Sequence, residues 1–230
     1  MSAGGLERPK AAMILAAGRG ERMRPLTDAT PKPMLEVRGV PLIEHHVRAL
    51  AGAGIRTLTV NLAWLGGAIR HHLGDGSRFG VAIRYSEEAP GPLEAAGGIV
   101  RALPTLEPGP FAVVNADVFS DYPFERLGIA PHADAHLVLV PNPPQHPHGD
   151  FGIAGDRAVA AAPRRFTFAG IAVYRTALFA GLADGVRALR PLLVEAMAAQ
   201  RCTAELYRGL WEDVGTPERL RALNSGDRLQ

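Results

Sequence analysis

Between residues 11 and 33 the chain crowds together residue types suited to holding phosphate. Gly18 and Gly20 share a short stretch with Arg19, Arg22 and Arg24, and Lys32 follows between Pro31 and Pro33. Glycine lets backbone N–H groups come close to an anion, and the guanidinium groups offset its charge. Lys32 is set apart by composition: it and Lys10 are the only lysines among 25 basic residues, the rest being arginines. A compact, mobile ammonium differs from a planar fork, so its retention here points to chemistry; the competing reading is a solvated turn residue. The spacing departs from two common nucleotide loops. Met23 stands where the third glycine of a dinucleotide fingerprint belongs, and no Gly-Lys-Ser/Thr occurs.

Two carboxylates are the natural partners of such a loop. Asp117 follows the apolar run 111–115, and Asp213 follows Trp211-Glu212, so each lies just past or at the end of a predicted strand. Ligands of open α/β sheets sit in the crevice at the carboxyl ends of strands, and the loop after residue 17 opens onto the same edge.

The elements that must position these residues can be read in chain order. The apolar run 11–17 predicts a buried strand that stops where glycine begins. Pro41 opens a helix that Gly54 closes; a strand at 57–61, a helix near 67–73 and a strand at 81–85 follow. Residues 86–98 predict a loop leading into a helix at 98–103, with Glu94 either touching substrate or capping that helix from outside. Further strands are predicted at 111–115, 135–140 and 167–174, and Gly170 would admit a ligand close to the backbone of the last. Between them lies a proline-rich loop, 141–149, and a hairpin built from 151–153 and 158–160. A helix from Pro191 to about residue 200, short strands at 204–208 and 211–213, and a closing helix with Thr216 as N-cap and Pro217 at its first position complete the chain. Strands alternating with helices predict an α/β fold, Rossmann-like, with a mostly parallel sheet flanked by helices. The His45-His46, His71-His72 and His146/His148 pairs lack further partners at ligand spacing and read as solvated positions rather than metal sites.

Taken together, LAAGRGERMRPLT at 15–27 and Pro31-Lys32-Pro33 resemble the signature of the sugar-1-phosphate nucleotidylyltransferases. Supporting segments are PLIEHH at 41–46, LGDGSRFG at 73–80, NADV at 115–118, GDF at 149–151 and WEDVGT at 211–216, and the resemblance is greatest to the bacterial muramate-specific uridylyltransferase branch. The resemblance implies transfer of UMP from UTP to a sugar 1-phosphate, N-acetylmuramate 1-phosphate in that branch, with release of pyrophosphate. It implies a nucleotide site at Gly18, Gly20, Glu21, Arg22, Lys32 and Asn115, with Arg24 bracing the leaving pyrophosphate and Lys32 stabilising the α-phosphate. It implies Mg²⁺ on Asp117 and Asp213, a small acceptor-binding subdomain, and substrate contacts at Glu94, in a loop that reaches the nucleotide base in the family, at Asp150, matched to the acceptor site, and at Gly170, on the strand that borders the sugar. Leu93-Glu94-Ala95-Ala96-Gly97-Gly98 departs from the related Leu-Glu-Thr-Gly-Gly-Gly by an alanine for the threonine. Relatives place a second lysine on the sugar phosphate; with none after Lys32, Arg164, Arg165 or the metal would take that part. The same resemblance leaves room for a guanylyl- or thymidylyltransferase, or for a non-catalytic nucleotide-sugar-binding paralogue.

Composition sets the remaining bounds. With 230 residues, 47% of them hydrophobic, the chain can bury one substantial core, read here as a single domain over 11–230 after a loose leader at 1–10. Residues 11–140 would mainly bind nucleotide and 141–230 mainly sugar phosphate. A net charge of +2 without basic runs gives no support to a nucleic-acid partner. A single cysteine, Cys202, and the lack of an 18-residue apolar stretch point to a cytoplasmic protein without a membrane partner, as a monomer or small homo-oligomer.

Overall fold

Strand β1 (Ala11–Leu15) is buried on both faces, which is why its sequence is an unbroken apolar run rather than an alternating one. The computed structural model describes residues 5–88, 91 and 93–226. After β1 come a small hairpin, β2 (Glu36–Val37) and β3 (Val40–Pro41), then α1 (Leu42–Gly52), β4 (Thr57–Leu62), α2 (Gly66–Leu73) and β5 (Ala82–Glu87). There follow α3 (Glu94–Ala102), β6 (Phe111–Asn115), β7 (Val118–Ser120), β8 (Ala135–Val140) and the hairpin β9 (Gly152–Ala154) and β10 (Arg157–Val159). The chain continues through β11 (Thr167–Tyr174), α4 (Arg190–Ala198), β12 (Cys202–Leu206), β13 (Trp211–Asp213) and α5 (Pro217–Ser225).

Nine strands form the central sheet in the order β5-β4-β1-β6-β11-β8-β12-β10-β9. Pairings among β5, β4, β1 and β6 are parallel, as is β8 with β12, whereas β11 and β10 run antiparallel to both of their neighbours. All strands except β10 and β11 therefore share one direction, and the carboxyl ends of β1, β4 and β6 open on one edge. The period of two in β1 divides its side chains between two cores. Ala12 and Ile14 join Ile43, Val47 and Leu50 of α1 and Ile69 of α2 on one face. Ala11 and Met13 join Ala96 and Ile99 of α3 and Leu193 and Met197 of α4 on the other. Burying each larger aliphatic side chain contributes about 1.5–3 kcal/mol, so both faces hold the site's scaffold firmly.

A third cluster closes the fold on itself. Met23, Leu35, Val37 and Leu42 from the first quarter of the chain pack on Phe119, Val214, Leu220 and Leu223. The C-terminal helix thus returns to the signature loop, and β13 pairs with β7 in a separate two-stranded ladder. Among the described residues no helix is long and apolar enough to cross a membrane.

Several expectations need adjustment. Helix α3 starts at Glu94, four residues before the predicted start, because the Ala96 and Gly97 N–H groups are capped by the Arg187 carbonyl at 3.1 Å each, a partner remote in sequence. Strand β7 and the β2–β3 hairpin were not predicted; both are too short to show a period. The leader is tied to the body at Glu7, which exchanges backbone bonds with Ile129 and pairs with Arg175 at 2.8 Å.

His46, read as solvated, lies in the apolar stripe of α1 and is 4% exposed. Burial pushes its imidazole down to about 4, against the smaller opposite pull of its bond to the Val118 carbonyl. The native value lies below the ordinary one, so between pH 6.5 and 4 the unfolded chain takes up a proton that the native chain refuses. Stability is complete above pH 6.5 and falls as pH drops toward 4, by roughly 3 kcal/mol from this group. Chemical denaturation from pH 7 to 4 is expected to show a shallower loss for His46→Leu than for wild type; superimposable profiles would refute the assignment.

Candidate active site

The signature loop is shaped by packing against Lys32. Gly20 adopts φ +68°, and a Cβ there would stand 3.0 Å from Lys32 Cβ and 3.1 Å from Thr27 Cγ2, so a side chain is excluded on two counts. The buried Thr27 hydroxyl donates to the Gly20 carbonyl at 2.8 Å. From outside, Arg19 Nη1 and the Trp64 indole N–H both donate to the Thr27 carbonyl, at 2.8 and 3.1 Å, with the guanidinium carbon 3.7 Å from the Trp64 ring centroid. Short 3₁₀ turns at Glu21–Met23, Leu26–Asp28 and Lys32–Met34 carry the chain around, and Met23 anchors the first in the third core cluster.

Lys32 and Asp117, 85 positions apart, meet directly: Nζ lies 2.6 Å from Oδ2, with the lysine side chain 9% exposed and the aspartate 37%. Asp117 is held by its backbone as well. The Ala116 N–H donates to the Leu15 carbonyl, fixing the end of β6 beside β1, and the Val214 N–H donates to the Asp117 carbonyl at 2.9 Å. In the β7–β13 ladder Asp213 stands opposite Val118, which brings it beside Asp117, the residue just before β7. Asp213 in turn pairs with Arg219 at 2.9 Å. Each carboxylate thus carries one cation of the chain, and the four groups are neutral as a set.

Two cavities meet at this point. One, of about 220 Å³, is lined by residues including Gly18, Lys32, Glu94, Ala95, Asn115 and Asp117. The other, of about 340 Å³, is lined by residues including Arg22, Asn115, Asp117, Gly170, Asp213 and Arg219. Asn115 and Asp117 belong to both, so a group in the first cavity can touch a group in the second beside Asp117.

The predicted site residues are distributed unevenly over this geometry. Gly18, Lys32, Glu94 and Asn115 line the first cavity, and Glu94 begins α3 at φ +58°, a strained conformation for a residue with a side chain. Arg22 lines the second cavity rather than the first. Glu21 is exposed, and Arg24 turns to Asp28 at 3.0 Å; neither lines either cavity. Gly170, at φ +69°, does make room in β11, but for the Asn115 side chain, whose Nδ2 would lie 2.7 Å from a Cβ there. Asp150 stands behind the second cavity: it accepts the Phe168 N–H at 2.8 Å and faces His146 at 3.2 Å, two residues that do line it. Arg164 and Arg165 lie with His148 in a different cleft, so neither reaches the position imagined for a second lysine.

Sequence reasoning passed over the floor of the first cavity. Asn61 accepts the Ala16 N–H at 2.7 Å and donates to Glu88 at 2.5 Å, and the second Glu88 oxygen accepts the Leu93 N–H at 2.8 Å. Asn61 is 3% and Glu88 4% exposed, and a Cβ on Gly98 would collide with the Glu88 carboxylate. A lone asparagine inside the apolar strand 57–62 is the signal that could have found this network, since a buried amide demands partners. Arg219 was also missed; it sits behind the Thr216 cap, where helix-start chemistry alone explains a residue.

A family profile described as Nucleotidyl transferase matches residues 11–160, a span containing the loop, Lys32 and Asp117. The chain belongs to this family. Among curated nucleotidyl transferases it is 48% identical to the N-acetylmuramate alpha-1-phosphate uridylyltransferase of Neisseria meningitidis serogroup B, over 91% of this chain and 95% of that protein. Identity is 33% to the enzyme of the same name from Caulobacter vibrioides, over 92% and 94%. The inositol-1-phosphate CTP transferase of T. maritima shares the fold with a TM-score of 0.75 at 17% identity, covering 97% of this chain and all of that one. The fold is thus a scaffold shared with an enzyme named for a different base and a different acceptor, so the fold by itself does not assign the substrates.

Proposed function

We propose that this nucleotidyl transferase moves UMP from UTP to N-acetylmuramate 1-phosphate, giving UDP-N-acetylmuramate and pyrophosphate. The observation that carries the reading is the pair of cavities joined at Asn115 and Asp117 beside the Lys32 ammonium; the extensive identity to the two uridylyltransferases supports the choice of substrates. The nucleotide would occupy the first cavity and the sugar phosphate the second, in keeping with a division near residue 140 in which Arg22, Asn115 and Asp117 cross to the acceptor side.

An oxygen of the sugar phosphate attacks the α-phosphorus of UTP, a P–O bond forms, and the bond to the β-phosphate breaks as pyrophosphate takes the electron pair. A phosphate monoester has a second pKa near 6 and is mostly dianionic at pH 7, so no general base is needed. The protein's task is alignment and charge neutralisation. Gly18 and Lys32 would hold the nucleotide in the first cavity, with Lys32 by the α-phosphate, while the rest of the triphosphate would extend beyond it along the loop to N–H groups at Gly20, Glu21 and Arg22, and Arg24, released from Asp28, would brace pyrophosphate. Glu94 and Asn115 orient the nucleotide, while Asp150 holds His146 and Phe168 at the sugar side near Gly170.

Asp117 and Asp213 suit Mg²⁺, which takes one or two carboxylates and completes its shell with phosphate oxygens and water. Among the described residues no group of three or more His, Cys, Asp or Glu side chains gathers, so substrate oxygens would be needed for a full shell. Bound there, the ion would neutralise phosphate charge and align the triphosphate.

Pyrophosphate release should be measured with UTP, CTP, GTP and dTTP against N-acetylmuramate, N-acetylglucosamine and mannose 1-phosphates, with Mg²⁺. Turnover is expected to be fastest, by at least tenfold in kcat/KM, with UTP and the muramate. Preference for another pair overturns the substrates; no release with any pair overturns the enzyme.

A further inference from the structure

Arg219 offers the acceptor cavity a cation with unused hydrogen-bonding capacity. It occupies the first turn of α5, where its N–H is accepted by the Thr216 hydroxyl at 3.4 Å. Its side chain is 14% exposed and lines the 340 Å³ cavity. Only Nη1 is engaged among the described residues, donating to the Asp213 carbonyl at 3.2 Å and to Oδ2 at 2.9 Å. A guanidinium has five N–H donors in a fixed plane, and Nη1 accounts for two, so Nε and Nη2 keep the other three. A mostly buried guanidinium that lines a cavity with three donors free of protein hydrogen bonds can receive an anion there, with Asp213 and the nearby Glu212 as its carboxylate neighbours. The backbone makes room for it: a Cβ on Gly215 would lie 2.9 Å from Nη1 and 3.1 Å from Asp213 Oδ2.

Position decides which anion. The fork is anchored on Asp213, opposite Val118 and next to the junction at Asp117 where the two cavities meet. The acceptor's reacting phosphate must come to that junction, whereas its sugar ring extends away toward His146 and Phe168. A guanidinium also matches two phosphate oxygens at once, which a lysine cannot do. From this placement we infer that Arg219 binds the phosphate of the sugar 1-phosphate through Nε and Nη2. The inference rests on the acceptor assignment made above. A muramate also carries a carboxylate, the same oxyanion chemistry from another part of the molecule, so the test separates the two sources.

Arg219→Gln and Arg219→Lys should be compared with wild type using N-acetylmuramate 1-phosphate and N-acetylglucosamine 1-phosphate, which lacks the carboxylate. For Arg219→Gln the acceptor KM is expected to rise about 10- to 100-fold with both sugars alike, with KM for UTP within twofold. Calorimetric titration of sugar phosphate into the nucleotide-free protein should show the same weakening. Arg219→Lys keeps the charge and the bond to Asp213 and serves if the glutamine variant does not fold; its acceptor KM should rise several-fold at an unchanged melting temperature. A loss confined to the carboxylate-bearing sugar would overturn the phosphate assignment. Unchanged acceptor binding with a lower kcat and a raised Mg²⁺ requirement would show that Arg219 only braces Asp213. If wild type prefers another sugar 1-phosphate, the comparison is run with that one, so failure of the muramate reading appears in wild type and failure of the Arg219 reading in the variants.

Discussion

Lys32→Ala is expected to lower kcat by roughly 10²- to 10³-fold, the cost of losing one preorganised donor aimed at charge that develops in the transition state. The expectation rests on how completely the ammonium is placed. Its stem packs against the bare backbone of Gly20, its side chain is 9% exposed, and Nζ is already 2.6 Å from Asp117 at the junction of the cavities. The ammonium is therefore fixed beside the junction at Asp117 where the α-phosphate would stand. KM for UTP should change by less than tenfold, because binding in the ground state is shared with the loop N–H groups. Lys32→Arg is expected to rescue little: a larger planar head has to share the space that Gly20 and Thr27 already fill. Single-turnover rates at saturating UTP give the measurement. Activity within threefold of wild type for Lys32→Ala would show the residue to be peripheral.

Asp117→Asn should have an effect of similar size, a fall of roughly 10²- to 10³-fold in turnover, for a different reason. The substitution keeps shape and hydrogen bonding but removes the negative charge shared by Lys32 and the proposed metal. Mg²⁺ affinity, read with Mn²⁺ as a paramagnetic substitute by electron spin resonance in the presence of UTP, should weaken at least tenfold. The variant also leaves a nearly buried ammonium without its counter-charge. Because Asp117 is more than a third exposed, water screens part of that cost, and the stability lost is about 1 kcal/mol. The melting transition should therefore move by only a few degrees. A variant with undiminished Mn²⁺ binding and turnover would remove Asp117 from the site; one that fails to fold would make the Lys32 pair a structural element.

What could be read from sequence follows the range of the forces involved. The glycine–arginine loop, the apolar runs at 11–15, 111–115 and 135–140, the cap at Thr216 with Pro217 and the strand-end positions of Asp117 and Asp213 are local: each depends on backbone propensity or a period within a few residues. Even the long-range meeting of Lys32 with Asp117 could be expected, since the parallel strands β1 and β6 place their carboxyl ends together; Asp213 joins them by another route, the antiparallel pairing of β13 with β7 outside the central sheet.

Which charge faces which cavity was decided only by tertiary structure. Arg22 and Arg24 are two residues apart, yet one lines the second cavity and the other turns to Asp28, because the 3₁₀ turn at Glu21–Met23 is pinned by Met23 in a core assembled partly from residues 214–223. Arg164 and Arg165 lie in another cleft, and Arg219 lines the second cavity because β13 returns to pair with β7. Asn61 and Glu88 become a buried pair only where β4, β5 and the start of α3 meet, and His46 is dry because β7 covers α1. The sequence by itself determined the order of elements and the chemical kit, since helix, strand and loop preferences act between near neighbours. Side-chain partners 27 to 85 residues apart were selected by the packing of whole elements, which no local pattern encodes.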